Sequence, residues 1–390
     1  MRPAASAPAR PRAARAPAAE RRRELALAAA GEFHRHGFHR VTLGGVAAAV
    51  GLSAPAVYRH FANKNALLAG AVDTGIEEIA AALDLADREG GSPDAVLRRL
   101  TEAALRRPDF WTLSQREARY LDDDGRRHVR ERFRALTDRM SAVLGGHDPG
   151  GDPGRLDVLV TATLAVLSTP STHHTPLPAE RVATLLTEAS RATLAAVDEP
   201  GGPGPTTPGA PAASERAAQI LETAFGLFHR HGYAAVSLDD IGAAVGIAGP
   251  SIYHHYGSKA ELLVAAFDRV LDGLPRIDRE TEPDDAVRAY VDLALREREA
   301  VATRTTEIIS LPSEDAARIG RALADDLAAW TAMLRRDRPD LTGAEAALLV
   351  DAARSAVHDV VRLGPLHRRP RLRDELSAIA LAVLWTRLPD

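Results

Sequence analysis

The sequence predicts an all-α protein made of two repeats, each a compact three-helix head followed by a longer helical body. The stretch Val41 to Lys64 returns as Val236 to Lys259, and the copies stay in register without a gap from Phe33/Phe228 to Leu68/Leu263, 195 residues apart. That offset is too long for a solenoid repeat and suits a duplicated domain. The remaining chain is rich in Ala and Leu, poor in aromatics, and apolar at helical spacing between Gly and Pro clusters.

The N-terminal stretch, residues 1–19, holds Arg2, Arg10, Arg12 and Arg15 among Ala and Pro, with no acid before Glu20. It reads as a disordered basic arm rather than a transit peptide, because the same composition persists along the chain. Arg22 to His36 is the first expected helix, with Leu25, Ala28, Ala29 and Phe33 on one face. Thr42 and Ser237 are N-caps for a short second helix bearing Leu43, Val46 and Val50, or Leu238, Ile241 and Val245. Gly51 and Gly246 end it in a left-handed turn that Leu52 and Ile247 pin to the core. Ser53 is placed to cap a third helix, and Pro55 or Pro250 falls in its first turn, where a missing N–H costs nothing. Ala248 stands at the Ser53 position of the second copy, a loss expected to cost about 1 kcal/mol. Val57 and Ile252 face inward, whereas Tyr58, Arg59, His60 and Tyr253, His254, His255 line the outer face. Lys64 and Lys259 open the next helix. Two short helices joined by a tight glycine turn, the second ending in phosphate-binding side chains, form the layout of a helix-turn-helix DNA reader.

Both copies resemble the N-terminal DNA-binding domain of TetR-family transcriptional regulators. The resemblance rests on Phe33…Gly37-Phe38 and Phe228…Gly232-Tyr233, then Thr or Ser, a short helix, Gly-apolar, and Tyr-x-His-Phe/Tyr before Lys. It implies that the third helix enters the major groove, that the Tyr and His side chains contact phosphates, and that Lys64 or Lys259 grips the DNA backbone. The DNA-facing set expected on this basis is Thr42, Ser53, Ala54, Pro55, Ala56, Tyr58, Arg59, His60 and Lys64, with Ser237, Gly249, Pro250, Ser251, Tyr253, His254, His255 and Lys259 in the second copy. Two departures concern the short second helix: Gly45 replaces the usual acid, and Gly242 the usual Ala. Apart from Arg59, neither third helix has an Arg, Asn or Gln for bidentate base contacts, so base readout is expected to be sparse.

The expected divisions are HTH domain 1 at 20–66, helical body 1 at 67–197, a linker at 198–213, HTH domain 2 at 214–261 and helical body 2 at 262–390. Asn65 to Glu89 is one long amphipathic segment, and helical patterns follow at Ala95 to Arg106, Trp111 to Leu121, Arg126 to Leu144, Arg155 to Leu167 and Ala179 to Val197. The linker is Pro, Gly and Thr with almost no bulky apolar residue. Beyond it the plan repeats, at Glu215 to His229, Lys259 to Leu271, Asp284 to Glu297, Ala300 to Ser310, Glu314 to Arg335, Leu341 to Arg362 and Arg371 to Leu388. Thr342 and Glu345 form a plausible capping box. Leu349-Val-Asp-Ala352 echoes Leu159-Val-Thr-Ala162.

The resembled family dimerises through its C-terminal helices. That implies packing of Arg155 to Leu167 and Ala179 to Val197 against Leu341 to Arg362 and Arg371 to Leu388, a pseudo-dimer within one chain; a homodimer of chains with four heads is the rival. The expected partners are a double-stranded DNA operator and a small-molecule effector. Phe110, Trp111, Gln115, Arg116, Arg119 and Tyr120 are the candidate lining for an anionic or acyl ligand, though an aromatic helix face packed in the core fits them equally. Tyr290, Glu307 and Trp330 are weaker candidates.

Charge separates the two heads. Arg21, Arg22, Arg23, Arg35, Arg40, Arg59 and Lys64 outnumber Glu20, Glu24 and Glu32 in the first, whereas Glu215, Glu222, Asp239, Asp240 and Glu261 outnumber Arg216, Arg230 and Lys259 in the second. Phosphate neutralisation dominates non-specific affinity, so the first head is expected to bind DNA more tightly. The chain has no cysteine, no run long enough to cross a membrane and none of the common catalytic fingerprints. A cytoplasmic, non-enzymatic protein without cofactor or metal is expected. His34, His36 and His39 are read as a helix end rather than a metal site, since His229-Arg-His-Gly232 repeats the pattern. The competing expectation is a ligand-sensing or partner-binding protein whose heads no longer bind DNA.

Overall fold

The structure, a computed structural model, describes residues 17–145, 152–173, 175–197, 215–362 and 365–389. Among the described residues every regular element is a helix, and their order runs through the same plan twice. The first repeat comprises α1 (Ala18–Arg40), α2 (Leu43–Ala49), α3 (Ala54–Tyr58), α4 (Lys64–Arg88), α5 (Pro93–Arg106), α6 (Pro108–Thr112), α7 (Asp123–Leu144), α8 (Pro153–Ser168) and α9 (Ala179–Leu194). The second comprises α10 (Glu215–His231), α11 (Leu238–Val245), a 3₁₀ segment at Gly249–His254, α12 (Lys259–Asp272), α13 (Pro283–Arg296), α14 (Arg298–Glu307), α15 (Ser313–Asp337), α16 (Gly343–Arg362) and α17 (Leu372–Leu384). The expected linker at 198–213 and most of the basic arm lie outside the described residues.

Each head closes over the residues whose spacing predicted it. Phe33, Val46, Val57, Phe61, Leu67 and Leu68 are buried in the first, and Phe228, Ile241, Ile252, Leu262, Leu263 and Phe267 in the second. Burying each such side chain contributes roughly 1.5–3 kcal/mol, enough to hold helices too short to persist alone. Gly51 and Gly246 take φ of +67° and +78°, the left-handed turn expected of them. The first core continues down α4 into the bodies through Val72, Ile76, Ile79 and Leu83, whereas the second head has a core of its own. Here α12 stops at Asp272, just before Gly273 and Pro275, while α4 runs on to Arg88.

Two elements differ from expectation. Trp111 to Leu121 is not one helix: α6 ends at Thr112, a wide π-type turn covers Leu113–Glu117, and a 3₁₀ turn covers Ala118–Tyr120. Neighbouring side chains on a regular helix point about 100° apart, yet Arg116 and Glu117 both reach the end of α1, and the wide turn accompanies that double engagement. The third helix of the second head is a 3₁₀ segment. Its Gly249 lies so close to Asp239 that a Cβ there would sit 1.9 Å from the carboxylate oxygen. The contrast between Ser53 and Ala248 is not the cause, because the Ser53 side chain makes no capping bond and the expected loss is not incurred.

In the bodies α8 packs along α16 and α9 along α17, joining the two repeats through the helices expected to meet. From Val158 to Ser168 α8 is apolar on nearly all sides, as a helix enclosed by others must be. Salt bridges of 2.5 Å between Arg181 and Glu345 and 2.6 Å between Arg369 and Asp152 cross the same seam. Thr342 and Glu345 exchange the two bonds of a capping box at the start of α16. No helix among the described residues is long and apolar enough to cross a membrane.

Candidate nucleic-acid interface

In the first head, Val57 anchors α3 to the core, so the other side of this single turn must face outward. Tyr58 is 58 % exposed, Arg59 is exposed, and His60 is half-buried. Ser53 and Pro55 are exposed at its start, with Ala54 and Ala56 half-buried beside them. The exposed Thr42 hydroxyl accepts from Gly45 N at 3.1 Å, as an N-cap should. Gly44 and Gly45 leave that helix start free of side chains. Arg22 reaches across from α1 to donate to the His60 carbonyl, with its guanidinium 4.2 Å from the centre of the Phe61 ring. This residue was not singled out from sequence. The second head replaces the brace with Tyr256, whose hydroxyl donates to the Ala217 carbonyl at 3.1 Å.

The second head presents Tyr253, again 58 % exposed, with His254, His255 and Pro250 exposed and Ser251 half-buried. Gly249, expected at the DNA, is buried against Asp239, which corrects that expectation. Ser237 and Asp240 form a complete capping box: Asp240 N donates to Ser237 Oγ at 3.1 Å, and Ser237 N to Asp240 Oδ2 at 2.8 Å. The Ser237 hydroxyl, donating to Asp240 Oδ2 at 2.6 Å, and then the Ser237 N–H hold the Asp240 carboxyl below the usual carboxylate range. A helix start is an anion site by virtue of its free N–H groups. In α11 the head's own acids, Asp239 and Asp240, already occupy that end, whereas α2 carries no acid there.

The sequence pattern of bacterial regulatory proteins of the tetR family matches residues 26–71 and again residues 220–266. The chain therefore carries the TetR-family DNA-binding domain twice. It is 36 % identical over 75 residues to the HTH-type transcriptional regulator TtgR of Pseudomonas putida, covering 19 % of this chain and 36 % of that protein. It is 36 % identical over 87 residues to the HTH-type transcriptional activator FasR of Mycolicibacterium smegmatis, covering 22 % and 37 %. The chain thus matches little more than a third of the length of these relatives. A TetR-family transcriptional regulator from Bordetella parapertussis overlays 44 % of this chain and 95 % of its own length at 18 % identity and a TM-score of 0.40.

Both TetR-type heads dock on their bodies through a buried glutamate. Glu117 accepts from Phe38 N at 2.8 Å, and Glu307 accepts from Tyr233 N at 3.1 Å, equivalent points directly after Gly37 and Gly232, one at the end of α1 and the other just past α10. Arg116, ion-paired to Glu117, also donates to the Phe33 and His34 carbonyls at 3.0 and 2.8 Å. Arg119 of the first repeat pairs at 2.5 Å with Glu307 of the second, so one repeat braces the other's head. The signal that could have located the pair is their offset: 307 − 117 = 190, the same as 349 − 159 between the echoing leucines. The lysines are turned inward as well. Lys64 Nζ donates to the His39 carbonyl at 3.3 Å, and Lys259 Nζ to the Tyr233 and Val236 carbonyls, both at 2.8 Å. Desolvation lowers both ammonium pKa values. As placed they tie the heads together, Lys64 through one backbone carbonyl and Lys259 through two.

The six residues expected to line a ligand site do not converge. Phe110 and Trp111 are buried, and the Phe110 ring fills the space a side chain at Gly75 would need. Only about 10 Å³ remains beside them. Arg119 is tied to Glu307, and Tyr120 stacks on Phe38 at 5.3 Å with His39 against its edge. Gln115 and Arg116 alone line a larger cavity, of about 480 Å³. Tyr290 and Trp330 pack edge to face at 5.7 Å, and Glu307 belongs to the docking joint. The histidines at the end of α1 separate, His36 lying 3.8 Å from Glu32 and His39 against Tyr120. His229 lies in the second joint, where burial and then the charges of Arg362, Arg298 and Arg119 lower its pKa to about 4.

Proposed function

We propose that the chain is a non-enzymatic transcriptional regulator that binds a double-stranded DNA operator with both heads and works as a covalent pseudo-dimer. In this reading the units are the heads at 20–66 and 214–261, the bodies at 67–197 and 262–390, and the joining segment at 198–213. The observation that carries it is the pair of exposed tyrosines, Tyr58 and Tyr253, each at the end of the third element of a helix-turn-helix head. Packing of α8 and α9 on α16 and α17 supports the pseudo-dimer, because a covalent link raises the effective concentration of the pair. Two unlike heads free the operator from being a true palindrome. Release of a repressor by a small molecule follows from the family resemblance; FasR, by its name, is an activator. Light scattering at low concentration should give the mass of one chain, and a stable dimeric mass would favour the four-headed arrangement.

The two heads contribute unequally in this account, the first binding more tightly. Asp239 and Asp240 at the start of α11, against Gly44 and Gly45 at the start of α2, favour that order. They equally favour a second reading in which the second head has become a sensor or partner-binding module. Measuring DNA affinity after Tyr58→Ala with His60→Ala, and separately after Tyr253→Ala with His255→Ala, tests the order. A larger loss from the first pair is expected, and equal losses would refute it.

A further inference from the structure

The cavity of about 480 Å³ lies at the junction of the repeats, within the size range of small-molecule pockets. The first repeat supplies Gln115, Arg116 and the end of α8 with His173; the second supplies α14 at Arg304, a stretch of α15, and α16 from Asp351 to Asp359. Most of the charges on its wall are matched. Arg116 pairs with Glu117 and Arg354 with Asp326, while Asp351 is bonded by His173 and Asp359 by Gln115 and Arg362. Arg304 is the exception. Among the described residues no carboxylate lies within ion-pair distance of it, and Asp326, already paired with Arg354, acts on it only from farther away; its Nη2 approaches the ring nitrogens of His358, at 3.3 Å, and its Nε is buried without a hydrogen-bond partner. His358 does not neutralise it: burial and then the charges of Arg304, Arg354 and Arg362 push the imidazole pKa well below its ordinary value, so the ring stays neutral and offers no negative charge. A guanidinium in a protein wall without a carboxylate of its own is costly, and an anion in the adjoining space reduces that cost.

The Arg304 guanidinium has no counterpart in the first repeat. At the offset of 190, Arg304, Asp351, Arg354, His358 and Asp359 correspond to Ser114, Thr161, Leu164, Ser168 and Thr169. We propose that this junction cavity is a binding site for one small organic anion per chain, its acidic group held by Arg304. The site is also wired to both heads. Arg304 lies three residues before Glu307, which holds Tyr233 N, while Gln115 and Arg116 immediately precede Glu117, which holds Phe38 N. Occupancy therefore loads both docking joints at once. The proposal deepens the effector reading above and rests on it for that consequence; the binding itself requires no DNA.

Titration of the full chain, without DNA, with 8-anilinonaphthalene-1-sulfonate and with its uncharged analogue N-phenyl-1-naphthylamine tests it. One sulfonate probe per chain is expected, bound about tenfold or more tightly than the analogue, the ordinary yield of a charge-assisted bond. Arg304→Gln removes an unmatched charge and so should fold; it is expected to abolish the difference between the probes. Ser355→Phe, which fills the cavity from α16, should remove both. Equal binding of the two probes by the unaltered chain, or undiminished preference for the sulfonate in either variant, would overturn the assignment. A failed DNA-retention experiment would reject the regulator reading while leaving this titration intact, so the two failures are distinguishable.

Discussion

Replacing Glu117 should loosen the first head specifically, by an amount its surroundings allow to be worked out. The residue is 1 % exposed, accepts from Phe38 N at 2.8 Å, and neutralises Arg116, whose side chain is 12 % exposed. Glu117→Ala leaves a buried guanidinium without its carboxylate, a loss of about 3–5 kcal/mol, which includes the stranded Phe38 N–H at about 1–3 kcal/mol. Glu117→Gln keeps an acceptor for that N–H and should cost less. Arg116→Met with Glu117→Leu removes both charges and should cost less than the sum of the two single changes, since neither ion is then left alone. Amide hydrogen exchange reads this directly, because the backbone between Phe33 and Val46 is released by local opening of the joint. At 1.4 kcal/mol per factor of ten, Glu117→Ala should accelerate exchange there by roughly a hundredfold or more. The equivalent segment from Phe228 to Ile241 should be unaffected. Acceleration below about threefold, which is under 1 kcal/mol, or equal acceleration in both heads would refute the idea that each head is latched by its own glutamate.

The acids at the start of α11 are expected to restrain DNA binding by the second head. Asp239→Ser with Asp240→Gly should raise its affinity for duplex at low salt while costing about 1 kcal/mol of stability through the lost capping box; unchanged or weaker binding would count against the electrostatic account. Stability should also depend on pH through His229. Its folded pKa, about 4, lies below the ordinary 6.5, so the unfolded chain binds more protons between these values. That stabilisation is complete above pH 6.5 and lost as pH falls toward 4. Melting temperature should therefore drop more between pH 7.5 and 5 in the unaltered chain than in His229→Gln, and equal drops would contradict it.

The heads were legible in the sequence because their information is local and stated twice. Gly51 and Gly246 demand a turn that few residues tolerate, and Val46, Val57 and their partners sit where only one packing buries them all. The seam was expected from the family resemblance rather than read from its residues, although α8 is apolar on nearly all sides. What sequence did not disclose depends on long-range partners. The break after Thr112 follows from Arg116 and Glu117 reaching α1, some eighty positions earlier, and helical periodicity carries no trace of that. Lys64 and Lys259 match the expected motif but find carbonyls of their own heads within reach. Gly249 looks like any loop glycine until Asp239 is seen packed against it. Arg304 lies among ordinary amphipathic positions, and only the fold shows which charges around it are already matched.

Retention of the intact chain on a random-sequence duplex across a salt series is the measurement closest to the central claim. Binding at low salt should weaken linearly in log–log form; Arg59→Ala should make the slope shallower by about 1, at roughly 0.9 per phosphate neutralised, whereas Tyr58→Ala, which removes an uncharged contact, should weaken binding with the slope unchanged. Absence of any retention at the lowest salt would contradict the claim that these heads engage DNA.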